Sequence, residues 1–361
     1  MHSVTVHLPE TSYDIRIGES MFDKLDYSIK KFNFSDTAFI VCDNNVFPLY
    51  GEKIIRILSK AGLKVEFFIV DAGEKAKCFE VVEAIYTKVI TLGLDRKSPI
   101  FALGGGVVGD LTGFVAATYL RGVPFIQLPT SLLAQVDSSV GGKVAINHPL
   151  GKNLIGAFYQ PKLVCIDLNV LSSLPKREIY TGLAEVIKYG MIADANFFQY
   201  LDNNTDRILN LDVEVMAHIV ARSCEIKADV VSKDEKESST RIILNFGHTI
   251  AHAIENVTGY TKYNHGEAVA IGMFGAVLIS HRLGLIEIET VRKVSAIIEK
   301  FHLPIKAVGC SEQKIFEILF RDKKAVNGKI NWVLINHIGS VIVHNNVPDE
   351  LVKDILKEII E

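Results

Sequence analysis

Five polar residues, Arg241, Asn245, His248, His252 and Glu255, follow one another at spacings of 4, 3, 4 and 3. Those steps place them on one face of a helix, although Gly247 argues against a helix that starts much before Asn245. Apolar Ile250, Ala251 and Ile254 flank them, which a purely solvated face would not require. His265 and Glu267 follow after a short loop, and Glu185 sits among apolar neighbours in GLAEVIKYG with Lys188 one turn on. A single His is more often a satisfied core or surface residue; several His with an apolar-flanked Glu point to a metal. Catalytic zinc takes three protein ligands and keeps one position open. One Glu with two of His248, His252 and His265 meets that need, and by spacing the preferred pair is His248 with His252, at i and i+4.

A second motif is FALGGGVVGDLTGF, residues 101–114. Gly104, Gly106 and Gly109 match G-x-G-x-x-G between a strand and a helix. Glycine lets a backbone approach phosphates closely, and a helix N-terminus offers free N–H groups and positive potential. The alternative is a tight turn that needs positive φ. The usual context is altered: the motif does not follow the first strand, and the next strand end, FIQLPTS, has no ribose-binding acid. Asp43, closing FIVCD, and Glu74, in DAGEKAK, are acids at earlier strand ends. Each reads equally as a helix cap or first-turn charge.

The cations form a third group. Lys143 and Lys152-Asn153 lie in the Gly-rich VDSSVGGKVAINHPLGKNLIGAFYQP, and Lys188 and Lys227 lie on helices among apolar residues. A lysine is ordinarily solvated surface. Here five cations, with Arg241, fall in the most Gly-rich or His-rich segments of a chain whose net charge is −3. A substrate bearing a carboxylate and a phosphate accounts for them through charge-assisted hydrogen bonds.

These groups need elements to hold them. The 361 residues suggest two domains. SVTVHL and SYDIRI read as a strand pair. From residue 37 strands alternate with helices: TAFIVCD, KVEFFIV, SPIFALG, VPFIQLP and KLVCIDL are the strands. That alternation predicts an α/β domain, a mostly parallel sheet with helices on both faces. After residue 173 strands almost cease, and consecutive helices run to about 325, with a hairpin turning at Gly339 and an amphipathic helix at the end. The expected division is 1–173, nucleotide-binding, and 174–361, mainly helical and bearing metal and substrate, with a ligand cleft between them. Five scattered cysteines without a C-x-x-C pair fit a reducing compartment. No signal peptide is readable in MHSVTVHLPE. The apolar run AVAIGMFGAVLIS is too short to span a bilayer and reads as a buried helix. The expectation is a cytoplasmic protein with no membrane and no nucleic-acid partner, since no basic stripe or tail occurs.

Taken together, GGGVVGDLTGFVAATYLRG, PTSLLAQVDSSVGGKVAINHPLGKNLIGAFYQP, GLAEVIKYG, LNFGHTIAHAIE and HGEAVAIGM resemble the 3-dehydroquinate synthase family. The resemblance runs from the DAGEK loop to the DKK at residues 322–324. It implies NAD and a divalent metal, zinc or cobalt, and a nucleotide fold of non-standard Rossmann order. The implied reaction turns 3-deoxy-D-arabino-heptulosonate 7-phosphate into 3-dehydroquinate and phosphate. It proceeds by oxidation, phosphate elimination, reduction, ring opening and intramolecular aldol closure, with NAD recycled. The resemblance further implies a homodimer.

Residue by residue, the resemblance makes Glu185, His248 and His265 the metal ligands and moves His252 to the substrate and acid/base network. Asp137, Lys143, Asn153, Lys188, Lys227, Arg241 and Asn245 become the substrate set. Lys152 joins them or the cofactor, Lys323 or Lys324 meets the phosphate, and Arg121 reaches the phosphate of a neighbouring subunit. Gly105, Gly106, Val107, Val108, Gly109 and Asp110 form the pyrophosphate turn, with Asp43 on the adenosine ribose. Gly73, Glu74, Lys77, Thr130, Ser131, Lys143 and Lys152 make up the rest of the NAD set. Ala251 departs from the family, which often has Gly there. Rival readings are another sugar-phosphate cyclase, a metal-dependent polyol dehydrogenase, or an inactive NAD- or metal-binding scaffold. Lys227, Arg241, Asn245 and His252 together favour the first-named family.

Overall fold

The computed structural model describes residues 1–325 and 330–361, with helix backbone alone over 321–325. The chain divides into two compact units, Met1–Leu174 with Met216–Lys236, and Pro175–Val215 with Glu237–Glu361. A single cut at 173 would assign 216–236 to the later part; the structure groups that segment with the first unit. The physical reason is specific. Cys224 Sγ donates to the Gln135 carbonyl at 3.4 Å, and Lys227 Nζ bonds Asp137 Oδ1 at 2.6 Å.

The first unit is built on strands β1 (His2–Val6), β2 (Tyr13–Gly18), β3 (Thr37–Asp43), β4 (Lys64–Val70), β5 (Ile100–Gly104), β6 (Phe125–Pro129) and β9 (Leu163–Asp167). Their order in the sheet is β1-β2-β9-β6-β5-β3-β4. The β1–β2 pair is antiparallel and the other pairs are parallel. The near-continuous apolar strands are explained by burial on both faces. In β3, Phe39 and Val41 point into one core while Ala38, Ile40 and Cys42 point into the other. In β5, Ile100 and Ala102 face the first and Phe101 and Leu103 the second. Helices α3 (Phe79–Thr91) and α4 (Gly106–Thr118) cover the first face; α1 (Leu25–Ile29) and α2 (Glu52–Lys60) cover the second. Each large side chain so buried contributes about 1.5–3 kcal/mol. A hairpin, β7 (Lys143–His148) with β8 (Gly151–Phe158), packs Val144 and Ile146 into the first core. Its alternation, V-x-I, is legible in the sequence, but no hairpin was expected there.

The second unit holds α5 (Lys176–Ala193), α6 (Ala195–Asn203) and α7 (Thr205–Leu209). Helix α8 (Val213–Lys233) passes from it into the first unit. There follow α9 (His248–Val257), α10 (His265–Arg282), α11 (Ile288–Lys300), α12 (Glu312–Ala325), the hairpin β10 (Trp332–His337) with β11 (Ser340–His344), and α13 (Asp349–Ile359). Helix α10 contains the apolar run from Ala268 and is buried on all sides, as its nonpolar circumference requires. Glycines let its neighbours come close. A Cβ on Gly266 would lie 2.1 Å from the Thr181 carbonyl of α5, and one on Gly272 would lie 2.0 Å from the Gly247 carbonyl. Among the described residues no helix is long and apolar enough to cross a membrane.

Candidate active site

The stripe from Arg241 to Glu255 is not one helix. A 3-10 turn spans Thr240–Asn245, Gly247 takes left-handed backbone at φ +80, and α9 begins at His248. A side chain at 247 would collide with Met273, whose backbone N lies 2.7 Å from the Cβ position. Glycine is therefore required twice over, and the break aims His248 from the first turn of α9.

Ligand atoms of Glu185, His248 and His265 lie within 4.8 Å of one another. The expected i, i+4 pairing of His248 with His252 is not the arrangement found. His252 is exposed one turn further along α9, its ring 5.5 Å from that of His248, and it is outside the cluster. The place is taken by His265, because the close α5–α10 approach at Gly266 brings the first residue of α10 to Glu185. Asn264 and Glu267 form a capping box at that helix start. Asn264 also donates to Glu178 Oε1 at 2.8 Å, and Arg177 holds both oxygens of Glu267 at 2.7 Å. Glu267 is thus spent on the helix start, and none of these anchoring roles was read from the sequence.

Glu185 is fully buried on α5. A buried carboxylate needs a partner, and Lys188 pairs with its Oε2. Its Oε1 lies 3.6 Å from His248 Nε2 and 3.6 Å from His265 Nε2. His248 Nδ1 is 3.1 Å from the Phe246 carbonyl, which only accepts, so Nδ1 carries the proton and Nε2 presents its lone pair. Burial and the Lys188 charge push the His248 pKa down to about 3. His265 goes the other way. Against the burial that disfavours its charge, hydrogen bonds to Glu185 and Glu255 carry it up to about 10. One carboxylate and two imidazoles facing one point match the donor set of a catalytic zinc.

In the first unit, β3 lies beside β5, so Asp43 ends the strand adjacent to the glycine loop. Its Oδ1 accepts the N–H groups of Asn45 and Val46, both at 2.9 Å, as the local capping reading anticipates. The loop glycines do not take left-handed backbone. Their reason is proximity: a Cβ would fall 2.7 Å from Val108 at Gly104, 2.9 Å from Ser138 Oγ at Gly106 and 2.8 Å from Gln127 Oε1 at Gly109. Helix α4 starts at Gly106 with no side-chain cap among the described residues, which leaves its first N–H groups for an anion. Val107 is in that first turn, the Thr130 N–H donates to the Gly104 carbonyl at 3.0 Å, and Ser131 Oγ accepts from Ala134 at 3.3 Å.

Buried Lys77 joins three segments. Its Nζ donates to Asp110 Oδ2 at 2.7 Å and to Asn153 Oδ1 at 2.5 Å, and lies 3.8 Å from Glu74 Oε1. Burial raises the Asp110 carboxyl above its ordinary range, with Lys77 opposing. Glu74 accepts from Asn147 at 2.8 Å, after Gly73 at φ +104. Asn153 itself takes left-handed backbone at φ +54. Lys143 starts β7 and Lys152 lies in β8. Buried Lys227 binds the Asp137 carbonyl and carboxylate at 2.7 and 2.6 Å. In the second unit Arg241 is buried, and Asn245 donates to Glu237 Oε1 at 3.0 Å. Arg121 is exposed in left-handed backbone at φ +64. The side chains of Lys323 and Lys324 lie outside the described residues.

Residues 67–181 match the family model described as 3-dehydroquinate synthase N-terminal, and residues 182–325 the one described as 3-dehydroquinate synthase C-terminal. A curated protein named 3-dehydroquinate synthase from Thermoanaerobacter pseudethanolicus is 48% identical over 353 residues, 98% of this chain and 99% of that one. The solved 2-epi-5-epi-valiolone synthase from Streptomyces hygroscopicus subsp. jinggangensis, with NAD+ and Zn2+ bound, superposes with TM-score 0.90 at 26% identity over 98% of each chain. A 2-deoxy-scyllo-inosose synthase complexed with carbaglucose-6-phosphate, NAD+ and Co2+ gives TM-score 0.90 at 25% identity, over 99% of this chain and 100% of that one.

Proposed function

The chain belongs to the 3-dehydroquinate synthase family, and from that premise we propose that it converts 3-deoxy-D-arabino-heptulosonate 7-phosphate to 3-dehydroquinate and phosphate. The observation that carries the reading is the convergence of Glu185, His248 and His265. These three hold a divalent metal, zinc or cobalt, through one carboxylate oxygen and two imidazole Nε2 atoms. The N-terminus of α4, with Gly105, Gly106, Val107, Val108, Gly109 and Asp110, holds NAD at its pyrophosphate. Asp43 keeps Oδ2 for the ribose, and Gly73, Glu74, Lys77, Thr130 and Ser131 complete that set. When bound, NAD accepts and returns one hydride, and the metal lowers the pKa of a substrate hydroxyl.

The chain's own residues bind and orient. Lys188 neutralises Glu185 and presents its ammonium beside the metal ligands. Lys227 and Asp137 form a fixed ion pair whose polar atoms are set before substrate arrives, the preorganisation on which electrostatic catalysis depends. Lys143, Lys152, Asn153, Arg241 and Asn245 bind the carboxylate, hydroxyls and phosphate, with Arg121 and the lysines at 323 and 324 on the phosphate. His252, exposed and next to His248, exchanges protons with the substrate. The protein acts as a cytoplasmic homodimer in the biosynthetic pathway that uses 3-dehydroquinate.

A second reading, a cyclase making a valiolone- or inosose-type product, is favoured by the solved structures at 25–26% identity. The 48% identity to a 3-dehydroquinate synthase outweighs it. The test is incubation with zinc, a trace of NAD and 3-deoxy-D-arabino-heptulosonate 7-phosphate, following phosphate and dehydroquinate. Turnover far beyond the NAD supplied supports the proposal. Phosphate release only from a different sugar phosphate supports the second reading. Stoichiometric NADH from a simple polyol overturns both.

A further inference from the structure

Glu255 belongs to none of the sets above, yet it is buried on α9 and its Oε1 lies 3.4 Å from His265 Nδ1. It stands seven residues, two helical turns, beyond His248 and so on the same face of α9. The opposite nitrogen of His265, Nε2, faces Glu185 Oε1 at 3.6 Å. The two imidazoles therefore share one scheme, Nδ1 toward an acceptor and Nε2 toward Glu185, with their ring planes inclined at 61°. For His248 the distal nitrogen meets the Phe246 carbonyl at 3.1 Å; for His265 it meets a carboxylate. The geometry points to Glu255 as the positioning residue of the metal site: it accepts the Nδ1–H of His265, fixes that tautomer and ring plane, and keeps the Nε2 lone pair aimed at the metal.

The arrangement has a structural logic. Each histidine opens its helix, His248 at α9 and His265 at α10; the Nδ1 of His248 is held by its own chain two residues back, and that of His265 faces Glu255. A partner from another helix is needed to lock His265, and α9 supplies it. Helix α9 thus contributes one ligand directly and the orientation of the other. Such a carboxylate also makes the imidazole a stronger donor, and losing it typically weakens metal binding 10- to 100-fold. The inference rests on the reading of Glu185, His248 and His265 as metal ligands, and the experiment separates the two.

The experiment measures zinc affinity by competition with a chromophoric chelator, and the visible spectrum of the cobalt-loaded protein, for the parent, Glu255→Gln and Glu255→Ala. Helical content and thermal midpoint of the metal-free proteins are recorded alongside. The glutamine is isosteric and still accepts from Nδ1–H, so it is expected to lose about 10-fold in affinity, and alanine about 100-fold, with a shifted cobalt spectrum in alanine that glutamine largely restores. Should alanine fail to fold, the glutamine variant decides alone. Parental affinity and an unchanged spectrum in the folded variants overturn the role of Glu255 while leaving the metal site. A parent that takes up no metal overturns the site and this role together.

Discussion

Zinc binding should release one proton, and that proton should come from His265. In the metal-free protein His248 is neutral down to about 3, while His265 keeps its proton up to about 10. A metal needs both Nε2 lone pairs, so below pH 10 it must expel the His265 proton. At pH 7 the cost is three units below that value, about 4 kcal/mol at 1.36 kcal/mol per unit. Apparent zinc affinity should therefore rise about tenfold per pH unit between pH 6.5 and 8. Calorimetric titration in two buffers of different ionisation enthalpy counts the proton directly. The same shifts set the metal-free stability. His265, raised above its ordinary 6.5, stabilises fully below pH 6.5 and loses that contribution as pH rises toward 10. His248, lowered, costs nothing above 6.5 and destabilises progressively as pH falls from 6.5 toward 3. The metal-free protein should then have a stability maximum near pH 6.5. A proton count near zero with flat affinity would refute the reasoning, because it would mean that Glu185 and Glu255 do not hold a proton on His265.

Other perturbations test other parts. Gly266→Ala should destabilise by about 2–4 kcal/mol, since its Cβ meets the Thr181 carbonyl at 2.1 Å; denaturant midpoints measure this, and zinc affinity should fall with it. Lys227→Met removes the ammonium that holds the Asp137 carboxylate at 2.6 Å and should lower kcat/KM by roughly 10²-fold or more, read by phosphate release. Lys77→Met frees Asp110 and Asn153 together and should weaken NAD binding by about tenfold, one charge-assisted contact's worth, read by nucleotide titration. Removal of the metal with a chelator should stop phosphate release, and zinc should restore it.

The sheet was legible because strands buried on both faces read as apolar runs, and TAFIVCD and SPIFALG have no polar interruption until their ends. The glycine loop was legible as a motif, but its physical reason was not. The choice between left-handed backbone and close contact depends on Val108, Ser138 and Gln127, which only the fold brings near. The His248–His252 pairing failed for a related reason. Helical spacing ranks neighbours along one element and cannot weigh a residue delivered by another. His265 arrives from α10, and the sequence records that approach only as Gly266, whose contact is with Thr181, 85 positions earlier.

The same argument settles what Ala251 means. The family often has glycine at that position, and a methyl there raises the question of whether it crowds the helix. The close approach of α9 and α10 runs instead between Gly272 and the backbone of the α9 start, with the Gly247 carbonyl 2.0 Å and the Ala251 N–H nitrogen 3.0 Å from the Cβ position of Gly272. The demand for a missing side chain therefore falls on α10, at Gly272, and Ala251 is buried without opposing it. Glycines near a site thus report the partner surface rather than their own helix. For that reason a sequence shows that two helices touch before it shows which residue of each faces the metal.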